Sequence, residues 1–418
     1  MTAFNYSLKI SDGTTTVTLT ATPFAIRTPD LTSANRNEQK TSHTLEIRLK
    51  DGTPQANIGE VSDLNALLFN AYLRNKAYRR EIAPVYLLWK DSPTGTEWRS
   101  EILDGYCDLE EKARTLPFWT NNTQFANLFI ERVNHWDGPV TTLIAEATID
   151  NDEDNYVDLD GDDISGDMPG PVRLELTNTY NAENRHAQVY VGVSQLNIDG
   201  FPSVLAGDSV ESVPQGTEMT VATWTLTSIQ MTAASGRPFK FIAARSAPST
   251  GTMFRLRVVF AVTELFTSGW VVPHPNVEIW ELGAVPIPPW LPGLEDLTSV
   301  DLELRIYNPI GALGSGYTLT AMYALPTDQY RALIPIGYNL PYTYRLIVDD
   351  IEGNVYIDDG ADGDKLGNYN AQAGQPLTVK PGIDQRFVFL VTQDTNVADV
   401  SARTSEVTIK YRPRRLSV

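Results

Sequence analysis

One stretch of this sequence concentrates the side chains best suited to chemistry. Ile149 to Asp167 reads IDNDEDNYVDLDGDDISGD, nine acids with no lysine or arginine among them. A calcium loop needs oxygen ligands at alternate positions, a glycine at the sixth and an acid at the end. Setting Gly161 at that glycine puts Asp158, Asp160 and Asp162 in ligand positions and Asp167 last. Tyr156 then falls first, where it offers no carboxylate, and no helical pattern flanks the run. The competing reading is a linker kept extended by its own like charges. The linker is favoured, so residues 138–170 are expected to join two modules, with calcium held by Asp158, Asp160, Asp162 and Asp167 as the alternative. A later run, DDIEGNVYIDDGADGDKLGN, crowds Asp349, Asp350, Asp358, Asp359, Asp362 and Asp364 around glycines. It reads as a hairpin with an acidic turn, a second metal site being the alternative.

Other reactive residue types are scattered. His43, His135, His186 and His274 stand far apart, so no pair at helical spacing could hold a metal. No G-x-S-x-G elbow, P-loop or dinucleotide fingerprint occurs. Cys107, the single cysteine, lies in the strand-like GYCDLE and reads as a small buried hydrophobe. Acids are so common here that any pair of them says little about glycoside hydrolysis. The expectation is a protein without catalytic residues and, calcium aside, without a cofactor. Trp224 and Trp270 are candidates for a carbohydrate site, because a flat ring can stack on a sugar face. Most tryptophans on strands are core anchors instead.

The elements that must carry these residues are strands. The chain has 418 residues, 42% hydrophobic and 20% charged, a globular profile with room for more than one core. Tyr, Thr, Val, Trp, Gly and Pro abound while long helical patterns are scarce, which marks a mainly β protein. The net charge of −19 argues against binding DNA, which is gripped chiefly by neutralising phosphates. It suits a surface that DNA slides past. No apolar run approaches the ~18 residues of a membrane-spanning helix, and MTAFNYSLKISDG has no signal-peptide pattern, so a soluble protein is expected.

Residues 1–137 alternate as half-buried strands in TTTVTLTATPFAIR and HTLEIRLK, then change period. Leu64, Leu67, Leu68, Ala71 and Tyr72 mark one face of a helix beginning near Ser62 or Asp63. Arg74, Lys76, Arg79 and Arg80 crowd its end, where cations favour the helix dipole. Strands resume with APVYLLWK. TPDLTSANRNEQK reads as an exposed arm. Residues 171–285 and 294–418 read as two β-sandwich modules of jelly-roll or galectin-like type, separated at 286–293 by a stiff proline-rich connector. The basic ending KYRPRRLSV, with Arg414 and Arg415, could grip an acidic partner.

The order of strands, helix and strands resembles the tail-tube-like domains of long-tailed bacteriophages, notably the distal-tail protein. HTLEIRLK before the helix, then PVYLLWK, EWRSEILDGYCDLE and LFIERVNHWDGP, carry that resemblance, and DQRFVFLVTQDTNVADVSARTSEVTIKYRPRRLSV is similar to the terminal strands of related tail proteins. It implies a structural protein of the virion tail, made in the bacterial cytoplasm. Its first domain would form a ring, commonly a hexamer, around the channel through which DNA passes without specific binding. Tube, tail hub and fibres, and host surface glycans, are the implied partners. Asn35, Arg36, Arg79, Arg80, Arg414 and Arg415 are the expected intersubunit residues. The extra β-module departs from a simple two-module distal-tail protein.

Overall fold

The alternation in KTSHTLEIRL becomes the strand Lys40–Leu49, with Leu45, Ile47 and Leu49 turned inward. This computed structural model describes residues 6–22, 24–26, 31, 39–49, 54–109, 124–151, 154–180, 185–195, 204–206, 209–210, 213–234, 236–245, 252–260, 262–272, 279–287, 299–309, 317–335, 339–360, 369–393 and 404–416. The fold is mainly β, as expected, and divides into two units. The first holds residues 1–141, 165–170 and 412–418, and the second 142–164 and 171–411.

The first unit is one continuous sheet with a long helix against it. Its strands run in the order Thr16–Thr18, Ser7–Ser11, Tyr86–Lys90, Trp98–Leu109, Gln124–Val133, Lys40–Leu49, Phe24–Ile26. Helix α1, Pro54–Asn75, lies in sequence between Lys40–Leu49 and Tyr86–Lys90, and its inner face meets residues from both sides of it. Val61, Leu64, Leu67, Leu68 and Ala71 share a core with Leu8, Ile10, Leu45, Leu128 and Ile130. The helix starts eight residues before Ser62, at Pro54. Proline suits a first helical position because its missing N–H would have no partner there. Val61 extends the buried stripe one turn earlier than the leucines alone indicated.

The second unit corrects the expected domain order. The segment 138–170 is not a solvated linker. It supplies the strands Thr141–Asp150 and Tyr156–Leu159 and a single turn at Gly161–Asp163. Ile149, Val157, Leu159 and Ile164, set among the acids, are buried in a core. Asn151 and Asn155 hold the segment to the strand Gln385–Gln393. Asn151 Nδ2 donates to the Val391 carbonyl at 2.6 Å, and Asn155 Nδ2 to that of Phe389 at 3.1 Å.

Nor do the two sandwiches follow one another along the chain. The strands on either side of the expected connector, Ile279–Pro286 and Ser299–Tyr307, both belong to a module spanning 204–326. That module is inserted between His186–Ser194 and Gln329–Pro335, which pair directly with each other. Residues 288–293 of the connector lie outside the described residues. The flanking module is built from 142–164, 171–194 and 329–411. Its sheet containing His186–Ser194 and Gln385–Gln393 is buried on both faces. Val189, Val191, Phe387, Phe389 and Val391 enter one core, while Tyr190, Val388 and Leu390 enter the core of the inserted module. A strand covered on both faces has no reason to alternate, and FVFLV does not.

Candidate functional site

The first unit carries exposed aromatic surfaces, and their placement begins with how α1 is fixed. Asn65 bonds the strand Trp98–Leu109 twice: its Nδ2 donates to the Cys107 carbonyl at 2.9 Å, and its Oδ1 accepts from the Cys107 N–H at 2.7 Å. Near the helix end, Asn75 Nδ2 donates to the Ile102 carbonyl at 3.2 Å. Gly105 brings helix and strand close, since a Cβ there would meet the Phe129 carbonyl at 2.6 Å and Leu68 at 3.1 Å. Lys76, at the C-terminal end, donates to Glu131 at 2.7 Å, and Lys40 joins at 3.1 Å. The Lys76 hydrogen bond holds the Glu131 carboxyl below the usual carboxylate range.

With Leu64, Leu68 and Ala71 locked inward, the helical repeat forces Phe69 and Tyr72 outward. Phe69 is 57% exposed and stacks on Tyr72 with ring centroids 6.0 Å apart. Ile58 is exposed on the same side of the helix, with Ser62 and Asn65 between it and Phe69, and Tyr78, in the left-handed region at φ 56°, stands exposed beyond the helix end. A second surface lies on the other side of the sheet. Cys107, Leu128 and Ile130 face the core, so strand alternation turns Tyr106 and Phe129 away from the helix. Their rings stack at 4.6 Å, and Tyr106 is 55% exposed. Phe125, four residues from Phe129 on the same strand, carries the Arg48 guanidinium 5.3 Å from its ring centre.

A buried arginine underpins this unit. Arg132 is wholly buried, and burial pulls its pKa down to about 10. It donates to the carbonyls of Leu31 (2.7 Å) and Val133 (2.9 Å), to Ser100 (3.2 Å) and to Nε2 of His43 (3.1 Å), and lies over the Trp136 ring at 4.6 Å. It thereby ties Leu31, from the expected arm TPDLTSANRNEQK, to the sheet. Asn35 and Arg36 of that arm lie outside the described residues.

The basic intersubunit candidates are engaged within the chain. Arg79 pairs with Glu81. Arg80 reaches Asn75 Oδ1 at 3.4 Å. Arg414 pairs with Asp137 at 2.9 Å, and Arg415 lies 4.5 Å over the Trp98 ring. The strand Arg414–Arg415 pairs with Trp136–Asp137, so this ending is part of the sheet rather than a free tail.

The calcium set is not assembled. Asp158 is clamped by Arg386, Asp160 caps the turn by accepting from the Asp162 N–H at 2.8 Å, and Asp167 belongs to the other unit, accepting from the Leu416 N–H at 2.9 Å. Among the described residues no three His, Cys, Asp or Glu side chains cluster as metal ligands. In the later acidic run, Asp349 accepts from Arg173 and Asp358 from Arg345, at 3.5 and 2.8 Å; Asp362 and Asp364 lie outside the described residues. Trp224 and Trp270, the carbohydrate candidates, both belong to the inserted module. Trp224 packs against the core of the inserted module. Trp270 lies with Tyr307 beside the outward-facing Arg255, whose guanidinium sits 4.4 Å over its ring.

Cys107 is buried, and its thiol is pushed up to about 12 by burial. The Ser405 Oγ and His186 Nε2 lie 2.9 Å apart, but both residues are wholly buried, which leaves a substrate no path to them. His135 is driven down to about 4, chiefly by burial. His274 lies outside the described residues. Sequence reading missed the outward aromatic pair of α1 because it assigned Tyr72 to the inner face; the signal was Phe69, an aromatic next to a leucine that must point inward.

No family model and no curated protein sequence matches the chain. Among solved structures, the chain is similar to the Dit protein (gp 19.1) of SPP1, described as a paradigm of the hub adsorption apparatus in phages infecting Gram-positive hosts. That alignment has 8% identity, 98% coverage of both chains and a TM-score of 0.35. A chain of the phage P2 baseplate in its activated conformation with Ca aligns at 8% identity, 99% coverage of both and a TM-score of 0.31. The VP2 subviral particle of infectious bursal disease virus aligns at 7% identity, over 66% of this chain and 80% of that one, with a TM-score of 0.20. Identities and scores at this level transfer no residue role.

Proposed function

We propose that this chain is a non-enzymatic structural subunit of a phage tail, a distal-tail or baseplate ring component. The observation that carries the reading is the pair of aromatic surfaces on the first unit, the Phe69–Tyr72 pair on α1 and the Tyr106–Phe129 pair on the far side of the sheet. Contiguous exposed aromatics of this kind mark association sites. Two different patches on one subunit suit a head-to-tail contact, which generates a ring when the rotation closes. In this reading the Phe69–Tyr72 pair of one copy meets the Tyr106 face of the next. The acidic chain lets DNA pass without holding it, and the second unit is directed to other tail proteins or to the host surface. The resemblance of HTLEIRLK, EWRSEILDGYCDLE and LFIERVNHWDGP to tail-tube-like strands supports it independently.

Negative-stain imaging with sedimentation velocity tests the proposal. The purified chain is expected to form closed rings whose population grows with concentration, and Phe69→Ser is expected to shift them to monomers. A chain that stays monomeric at high concentration, alone and with tail extract, would rule the ring out.

A further inference from the structure

We propose that the second unit has no working hinge at its insertion: the joint where the inserted module leaves and re-enters the flanking one is a lock, and the two modules open only together. Modules joined by a pair of strands ordinarily shift against each other unless their interface is large and apolar. Here both the strands and the interface are fixed.

The chain leaves the flanking module after Ser194 and returns to it at Gln329. Arg237, which directly precedes the strand Pro238–Arg245 of the inserted module, reaches back to that joint. Its Nη1 donates to the Ser194 hydroxyl at 2.8 Å and pairs with Asp328. Asp328 Oδ2 also accepts from the Gln195 N–H at 3.1 Å. One ion pair therefore binds the outgoing strand, the returning strand and the inserted module. Beside it, the N–H and the hydroxyl of Thr327 both donate to the Pro238 carbonyl, at 3.2 and 2.8 Å. Gly192 lets the two crossing strands touch, since a Cβ there would come 2.5 Å from the Pro326 carbonyl oxygen.

A second tie lies farther along the returning strand. Tyr330 donates to Glu281 Oε1 at 3.1 Å, and Glu281 pairs with Lys240, whose ammonium sits 4.9 Å over the Tyr330 ring. Glu281 and Lys240 belong to the inserted module and Tyr330 to the flanking one. Between the ties the interface is apolar. Tyr190, Ala332, Val388 and Leu390 of the flanking module share one core with Phe241, Ile242, Tyr323 and Leu325 of the inserted module. Phe241, Ile242, Ala243 and Ala244 follow one another without exposure, so their sheet is covered on both faces. Parting the modules would expose that core and strand the charges of the joint, and nothing on the chain compensates for either loss.

None of this depends on ring assembly. Native-state hydrogen exchange of the intact chain, followed by mass spectrometry in urea below the unfolding transition, tests it. In the wild type, amides of Pro238–Arg245 and Tyr317–Pro326 are expected to exchange through the same opening as those of His186–Ser194 and Gln385–Gln393, with equal urea dependence. Arg237→Met removes the charge that links Ser194 to Asp328. It is expected to make the inserted strands exchange at least about tenfold faster than the flanking ones, and Arg237→Lys to restore part of the coupling. Tyr330→Phe, which deletes only the hydroxyl on Glu281, is expected to act in the same direction by about threefold, and it carries the test if Arg237→Met does not fold. Wild-type modules that already exchange through separate openings of different urea dependence would overturn the lock. So would an Arg237→Met chain in which only the amides of Ser194, Gln195 and Asp328 exchange faster, because the arginine would then be a local contact.

Discussion

The outer sheet faces of the two units are made of opposite materials. On the first unit the outward positions of Trp98–Leu109 and Gln124–Val133 hold stacked rings, Tyr106 on Phe129. On the inserted module the outward positions hold an ionic ladder. Arg255 grips both oxygens of Glu218 at 2.8 Å, Arg305 reaches Glu218 at 2.9 Å and Thr220 at 2.6 Å, and Arg257 lies 3.2 Å from Glu264 and 3.6 Å from Glu303. Burial acts to raise the Glu218 pKa, but the hydrogen bonds from Arg255 and Arg305 outweigh it and hold the carboxyl below its ordinary range. The ladder satisfies itself and is content in water. The ring pair gains by being covered, as does the aromatic pair on α1. The contrast lies between these two sheet faces, and it teaches where association energy can come from on each: stacked rings gain by being covered, paired charges do not.

The sharpest way to break that contrast is to make the first unit's surfaces polar. Phe69→Ser combined with Tyr106→Ser is expected to weaken self-association by 100-fold or more, about 3 kcal/mol, as buried aromatic anchors do. Folding stability is expected to stay within about 0.5 kcal/mol, because exposed positions contribute little to it. Sedimentation velocity and urea denaturation read the two effects separately. Wild-type association in the double variant would remove the distinction between the units.

A buried cation is the next lever, since Arg132 supports the aromatic unit from inside. Arg132→Leu removes the Arg132 hydrogen bonds to the Leu31 and Val133 carbonyls, Val133 keeping that of the Ser100 hydroxyl at 3.2 Å, and is expected to cost about 3 kcal/mol in urea unfolding of that unit. A loss below about 1 kcal/mol would mean those carbonyls find other partners.

The first unit should also be the acid-sensitive one. His135 stays neutral in the fold down to about pH 4, against an ordinary value near 6.5. Between those values the unfolded chain binds a proton that the folded chain refuses, so stability falls as pH drops through this window, by at most about 3 kcal/mol. His135→Asn is expected to flatten that slope, measured as melting temperature against pH. An unchanged slope would assign the acid sensitivity to other groups.

The smallest effect belongs to the ladder. Glu218→Gln keeps the shape but leaves Arg255 and Arg305 without their shared anion, at a cost of about 1 kcal/mol for a partly exposed network. Because the Glu218 pKa is depressed, its contribution is present above the ordinary carboxylate range and lost as pH falls through the folded value. Denaturation at neutral pH and near pH 3 should therefore differ less in the variant than in the wild type.

Much of this was legible in the sequence. Lys40–Leu49 and Ser299–Tyr307 alternate so strictly that their inner faces could be listed without coordinates. The inner face of α1 followed from Leu64, Leu68 and Ala71, and the burial of Cys107 from its strand. Alternation and helical period are local properties, fixed by where each Cβ points. Partner choice is not local. Asp158 and Arg386 meet across 228 residues, and Asn151 and Val391 across 240. An acidic run therefore read as a linker while three-dimensional pairing made it an edge of a sheet. The nesting of one sandwich inside the other was hidden for the same reason, since Gln329–Pro335 and His186–Ser194 look like any two strands until they pair. The residues settled what each segment is; only the closed structure settled its neighbours, because strand pairing is decided by the burial of whole faces and not by the neighbours in the chain.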